Sequence, residues 1–287
     1  MNVEFKQLSD AIGAEILNVD ISMPLEPDVF DQIRKIWLDH NIILFRGQPL
    51  EVEQQVTFSR LFGAIELHSL SEYHMKGYPE IFINSNVVVD GKPIGAQKSG
   101  HTWHSDSQFL EVPSAATILH AREAPTEGGD TLYANMYRAY ESLPAPKRQQ
   151  IVGLRGVYSR VKSWSIDYSH RPPLTAKQKT ALSPTTHPIV RTHPETGRKA
   201  LYIGSQSELV KIVGLPVDVG NALAAELFDW AIQDRHVYAH RWQVGDTVVW
   251  DNRCTLHRAM PFDEGKYRRL MHRTTIQGTR PYLSADS

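Results

Sequence analysis

From Ile81 to Gln277 the chain breaks into short apolar runs, and the breaks are rich in glycine and proline. Ile81-Phe82-Ile83, Val87-Val88-Val89, Ala115 to His120, Thr131-Leu132-Tyr133 and Leu154 to Ser159 have strand length and composition. So do His187 to His193, Lys199 to Ile203, His236 to Trp242, Thr247 to Trp250 and Arg268 to Gln277. Between them stand the turn sequences Asp90-Gly91, Glu127-Gly128-Gly129-Asp130, Glu195-Thr196-Gly197 and Val244-Gly245-Asp246. A chain punctuated this way pairs strands across tight turns and buries one face of each. A β-sandwich or jelly-roll barrel meets both conditions, with strands distant in sequence lying side by side.

The first sixty residues alternate instead. Gly13 to Val19 reads as a strand and Pro27 to His40 as a helix, with Val29, Ile33, Ile36 and Trp37 at helical spacing. Asn41 to Phe45 is a buried strand, and Glu51 to Phe62 a second helix with Gly63 as its stop. Asn135 to Leu143, Pro146 to Val152 and Asp218 to Asp234 are the remaining helices. The expected fold is mainly β with flanking helices: a single domain over residues 1–287 around a double-stranded β-helix (jelly roll) core, helices gathered on one side. Residues 160 to 186 hold Pro172, Pro173 and Pro184 with little periodicity, and are expected to form a long loop serving as an active-site lid.

Composition narrows the function classes. Apolar residues are 41% of 287, enough for a sizeable core, and the net charge of −1 offers nothing to nucleic acid or a membrane surface. No apolar run approaches membrane-spanning length, and Met1 to Lys6 lacks the apolar core of a signal peptide. Cys254 is the single cysteine, so no internal disulfide forms and a reducing, cytoplasmic setting is expected. Any metal must then be held by histidines and carboxylates.

The stretch from His101 to Phe109 carries such a pair. Side chains two apart on a strand share a face, so His104 and Asp106 can reach one point while Trp103 and Ser105 turn away. These are two thirds of the 2-His-1-carboxylate set of non-heme Fe(II) oxygenases. His-x-Asp alone is common, and any one histidine is ordinarily a surface or hydrogen-bonded one. His257, just after the buried-looking strand that ends at Trp250, is the best third ligand. Arg269 and Arg273 lie four apart in a strand, on the face shared with Met271 and Thr275. Two guanidinium groups turned inward are costly unless they meet anions, and arginine is suited to gripping carboxylates. Without a metal motif beside them they would read as a solvated strand edge.

Taken together, His104-Ser105-Asp106, Gly128-Gly129-Asp130-Thr131, Trp250-Asp251-Asn252-Arg253 leading to His257, and Arg269 through Arg273 resemble the taurine dioxygenase family of Fe(II)- and 2-oxoglutarate-dependent oxygenases. The resemblance runs from about Gly13 to Gly278. Trp103 to Ser107, His240 to Asp246, Val190 to His193 and Gly197 to Lys199 look most like its chlorophenoxyacetate dioxygenase branch. It implies that His104, Asp106 and His257 bind Fe(II), and that Arg269 and Thr131 hold the distal carboxylate of the co-substrate 2-oxoglutarate. It further implies dioxygen as oxidant, and a small anionic substrate held by Arg273, with His68 contacting it. Homo-oligomers are common in the family. Ser69-Leu70-Ser71 departs from the taurine enzyme's pattern, and Gly100 stands where that enzyme has a substrate-binding asparagine. Both departures argue against taurine itself. The expected reaction is hydroxylation releasing succinate and CO2, first of an aryloxyalkanoate with ether cleavage, with an alkylsulfonate as the alternative. A zinc hydrolase on the same three ligands and a non-catalytic anion-binding protein are the other readings. Trp103, Trp242 and Trp250 are expected in the core; Tyr73, Tyr168 and Phe109 either line the pocket or pack.

Overall fold

The computed structural model describes residues 1–169 and 171–285. His170, inside the expected lid, and Asp286 and Ser287, at the end of the expected domain, lie outside the described residues. The chain opens with strands Phe5–Gln7 and Ala14–Ile16, helix Pro27–His40, strand Ile42–Phe45 and helix Val52–Arg60. Each boundary has a local cause. Pro27 begins the first helix, and Asn41 ends it at φ 67, its N–H returning to the Trp37 carbonyl at 2.6 Å. The second helix starts from a reciprocal capping box between Glu51 and Gln54. Its end falls at Leu61, just before Gly63 at φ 142.

The main sheet runs Phe5–Gln7, Ala14–Ile16, Ile42–Phe45, Thr247–Asp251, Ala116–Glu123, Leu270–Ile276, Tyr78–Ser85, His74–Met75, with Ile65–Glu66 also paired to Leu270–Ile276. Among the described residues its pairs are antiparallel, apart from Ala14–Ile16 beside Ile42–Phe45. A smaller sheet places Thr131–Asn135 between Val237–His240 and Thr255–Ala259. The expected Asp90-Gly91 hairpin joins Val88–Val89 to Lys92–Pro93, with both turn residues at positive φ (51 and 74).

Alternation along the strands separates three cores. Ile43, Phe45, Ile118, Val249 and Ile276 face the first two helices and pack with Val29, Ile33, Trp37 and Phe58. Their neighbours Ile42, Leu44, Leu119, Val248, Trp250 and Met271 face the other way and meet Tyr133 of the small sheet. Ala134 and Leu256, on the small sheet's far face, pack on helices Met136–Glu141 and Val217–Ala231. The chain is therefore layered, with helices on both outer faces and not gathered on one side as expected. The third core forces this, because the far face of the small sheet is as apolar as that of the main one. The structure also corrects residues 160 to 186. They form helices Arg160–Asp167 and Ala176–Ala181, capped by the Ser159 and Thr175 hydroxyls, and enter the strand Thr185–Pro188. The capping signals were present, but each helix is too short for a readable period. Among the described residues, no helix is long and apolar enough to cross a membrane.

The core carries neutral histidines. His120 and His272 sit opposite one another on adjacent strands, and burial, then the Arg122 charge, pushes each imidazole down to about 4. Burial does the same to His187. The unfolded chain binds protons near the ordinary value of 6.5, so stability is fully present above 6.5 and falls as pH drops towards 4. Each histidine costs at most about 1.4 kcal/mol per pH unit in that window. Metal-free protein is expected to melt roughly 5–10 °C lower at pH 5 than at pH 7.5. An unchanged melting temperature by calorimetry would contradict this assignment.

Candidate active site

Between the two sheets lies a cavity of about 340 Å³. Its floor is set by register. Tyr133 pairs with His257 and Thr131 with Ala259, so all four belong to the inward face of the small sheet. On the main sheet, Arg273 pairs with Leu119 and Thr275 with Thr117, again facing inward. His104 is brought to the rim by one antiparallel bridge, His104 N–H to His257 O at 3.0 Å and His257 N–H to His104 O at 2.9 Å. The expected strand around His104 is thus one bridge followed directly by a turn at Asp106 to Phe109. The alternation survives: Trp103 joins the outer core, and the Ser105 hydroxyl donates to the Asn252 carbonyl at 2.7 Å. His257 belongs to the strand Thr255–Ala259, which its polar sequence hid.

The three expected ligands converge. Asp106 Oδ1 lies 3.6 Å from His104 Nε2 and 3.8 Å from His257 Nε2. Cis ligands on a metal with bonds near 2.1 Å stand about 3 Å apart, so a small contraction closes the set. His104 Nδ1 bonds the Thr102 carbonyl at 2.7 Å, which leaves Nε2 free for a metal. Burial, with the His104 charge, keeps the His257 imidazole well below its ordinary range and neutral, as a ligand must be. Burial alone would raise Asp106, but its neighbours, the Arg273 charge first and the Thr117 hydrogen bond among them, outweigh it and hold the carboxyl well below the usual range.

Two residues that sequence reasoning passed over hold Asp106 in place. The Thr117 hydroxyl donates to Asp106 Oδ2 at 2.6 Å, and Asn252 Nδ2 donates to Thr117 at 2.9 Å. Trp250 Nε1 fixes the Asn252 amide by donating to its oxygen at 2.9 Å. Only the Trp250-Asp251-Asn252 motif hinted at this chain of bonds, since Thr117 sits in an ordinary-looking strand. Thr117→Val is expected to weaken Fe(II) binding by about 10–100-fold while the chain stays folded. Metal titration of the folded variant checks this, and unchanged affinity would count against it.

Arg269 is half-buried with its Nε enclosed; among the described residues it has no carboxylate partner, and its Nε has no hydrogen bond. Burial pushes the guanidinium down to about 10. A buried cation without an anion is costly, so the site fits a carboxylate ligand. Thr131, on the facing sheet, accepts a bond from Trp242 Nε1 at 2.9 Å and keeps its own proton to donate. The Gly128-Gly129 turn positions it. Both glycines stand at φ 71, and a Cβ on Gly128 would meet the Pro261 carbonyl at 2.8 Å. Arg273 differs from Arg269: its guanidinium reaches Asp106 Oδ1 at 3.1 Å.

His68 lines the cavity against the Phe82 ring, with centroids 4.0 Å apart. Its Nδ1 accepts the Leu70 N–H at 3.1 Å, and burial pushes the imidazole down to about 3, so Nε2 carries the proton. Phe109 and Tyr168 also line the cavity, whereas Tyr73 packs on Phe82 outside the lining. Trp103 and Trp242 are buried as expected; Trp250 is buried and its ring also leans on His257, tilted by 54° with centroids 4.8 Å apart. A second cluster, His193, Asp251 and Cys254, is a satisfied brace. His193 and Arg253 both bond Asp251, and Asn41 donates to the Cys254 sulfur.

Comparison with known proteins agrees with this geometry. The chain is 35% identical to the alpha-ketoglutarate-dependent 2,4-dichlorophenoxyacetate dioxygenase of Cupriavidus pinatubonensis (strain JMP 134 / LMG 1197), over 96% of this chain and 98% of that relative. It is 32% identical to the (S)-phenoxypropionate/alpha-ketoglutarate-dioxygenase of Delftia acidovorans, over 93% and 92%. The crystal structure of AAD-2 in complex with Mn(II) and N-oxalylglycine superposes with a TM-score of 0.83 at 29% identity, covering 99% of this chain and 100% of that one. Residues 4–275 match the taurine catabolism dioxygenase TauD, TfdA family, and the chain belongs to that family.

Proposed function

We propose that this dioxygenase hydroxylates a small aryloxyalkanoate with 2-oxoglutarate as co-substrate, and that His104, Asp106 and His257 hold its Fe(II). The observation that carries the reading is Arg269, whose enclosed Nε has no hydrogen bond and whose guanidinium meets no carboxylate among the described residues, facing a cavity that also holds the triad. Arg269 and Thr131 grip the distal carboxylate of 2-oxoglutarate. With iron bound, 2-oxoglutarate and dioxygen supply the oxidation: the co-substrate becomes succinate and CO2, and one oxygen atom enters a substrate C–H bond. Where that carbon bears an ether oxygen, the product is a hemiacetal that collapses to a phenol and an oxoacid.

The chain's residues then do four things. Arg273 draws the substrate carboxylate to the iron side of the cavity. His68 donates from Nε2 to the same group. Phe82, Phe109, Trp164 and Tyr168 form an aromatic wall suited to an aryl ring. The segment 160–186 closes over the site as a lid and limits water, since Trp164, Leu174 and Leu182 line the cavity from it. The two packed sheets support a double-stranded β-helix core, in one domain over 1–287. The alkylsulfonate reading is weaker because Gly100 offers no side-chain amide, and a zinc hydrolase would leave Arg269 without a role. Succinate formation across aryloxyacetates, aryloxypropionates and alkylsulfonates tests the assignment, with the aryloxyalkanoates expected to lead. A charge-transfer band on anaerobic addition of Fe(II) and 2-oxoglutarate tests the cofactor; zinc retained with no band would defeat it.

A further inference from the structure

Four arginines line the cavity: Arg160, Arg171, Arg269 and Arg273. Three have a counter-charge in the structure or in the proposed reaction. Arg160 pairs with the buried Glu208 at 3.1 Å, Arg273 with Asp106 at 3.1 Å, and Arg269 awaits the co-substrate. Among the described residues, Arg171 has no carboxylate partner. Its guanidinium makes two long bonds, 3.4 Å to the Gln97 carbonyl and 3.3 Å to the Ser99 hydroxyl. It stands 4.8 Å from the Tyr168 ring centroid, a ring that also lines the cavity.

Its position matters as much as its charge. Ser99 is followed by Gly100, where an added Cβ would lie 3.4 Å from His104 Cε1. The loop that holds Arg171 therefore touches the ligand ring one residue later, with no side chain between. His104, Gly100, Tyr168 and Arg171 all line the same cavity, so a substrate whose reacting carbon is beside His104 would meet Arg171 by running past Gly100 and along Tyr168. We propose that Arg171 is the anchor of a second anion subsite, which selects aryloxyalkanoates bearing an acidic group, a carboxylate or sulfonate, on the ring. This rests on the aryloxyalkanoate reading and names the substrate class more narrowly.

The test compares ring-acidic substrates with neutral isosteres on the folded holoenzyme. (4-Carboxyphenoxy)acetate and (4-sulfophenoxy)acetate are set against (4-carbamoylphenoxy)acetate, with the 3-substituted series alongside and phenoxyacetate as parent. The acidic member of at least one series is expected to lead its amide by about tenfold in kcat/KM, mostly through KM. In Arg171→Gln that ratio falls to near one, Arg171→Lys keeps part of it, and Ser99→Ala, which loosens only the tether, retains it. The wild-type comparison needs no variant to fold. If the amides match or beat the acids in both series, or if the ratio survives Arg171→Gln, the subsite is wrong while the aryloxyalkanoate reading stands. If phenoxyacetate and all its derivatives fail to yield succinate, the aryloxyalkanoate reading itself falls and takes the subsite with it.

Discussion

Alanine at His104 is expected to abolish 2-oxoglutarate-dependent succinate formation, by roughly a thousandfold or more, in a protein that still folds. The loss follows from coordination: two ligands of three cannot hold the metal in a fixed geometry. Retention of the fold follows from how His104 is attached. Its two bonds to His257 are main-chain bonds, and alanine keeps both. Its side chain is 21% exposed, so little apolar burial is lost. Asp106→Ala would be a poorer test, because it removes the carboxylate that Arg273 and the Thr117 hydroxyl both contact. Fe(II) titration, circular dichroism and single-turnover succinate release read the result. A folded His104→Ala protein with a tenth of wild-type activity would remove this histidine from the iron site.

The second large effect separates the two arginines. Removing a charged partner from a buried carboxylate costs about 2–5 kcal/mol, or roughly 30-fold to several thousandfold in affinity. Arg269→Ala is expected to raise the 2-oxoglutarate requirement by that factor, with a much smaller change for the primary substrate. The variant protein loses a half-buried cation that meets no carboxylate among the described residues, so its stability should hold or rise. Arg273→Ala is expected to act in the opposite sense, on the substrate requirement. It also frees Asp106 from the first of the charges that hold its carboxyl down, so it should make iron binding more acid-sensitive. Steady-state kinetics in both substrates decides the matter, and equal effects of the two replacements on both requirements would defeat the division of roles.

Much of this site was legible because its signals are local. Asp90-Gly91 and Gly128-Gly129 announce their turns through backbone conformations that few residues tolerate, whereas Asn41, read as the start of a strand, caps the first helix instead. Pro27 to His40 was readable end to end because a fourteen-residue amphipathic helix repeats its pattern. The short helices at Arg160–Asp167 and Ala176–Ala181 were not, since each has too few turns to show a period. The strand Thr255–Ala259 escaped notice because Thr255 and His257 stand on its inward face where an apolar pair would have marked it. Thr117 escaped for a related reason: one hydroxyl in a buried strand carries no mark of the carboxylate it will orient.

The amino-acid sequence alone determined the kinds of residue in the proposed metal site and their local pairing. His104 and Asp106 converge because two residues on extended backbone share a side, and that holds even where the strand shrinks to one bridge. It determined too that Arg269 and Arg273 turn the same way. Tertiary structure decided everything that depends on register between distant strands. A shift of one residue between Thr131–Asn135 and Thr255–Ala259 would turn His257 or Thr131 out of the cavity. It also decided which of the cavity's arginines, Arg171 and Arg269, have no carboxylate partner among the described residues. Charge balance is set by which side chains finally meet, and no spacing along the chain records that Glu208 goes to Arg160 while Arg171 meets no carboxylate among the described residues.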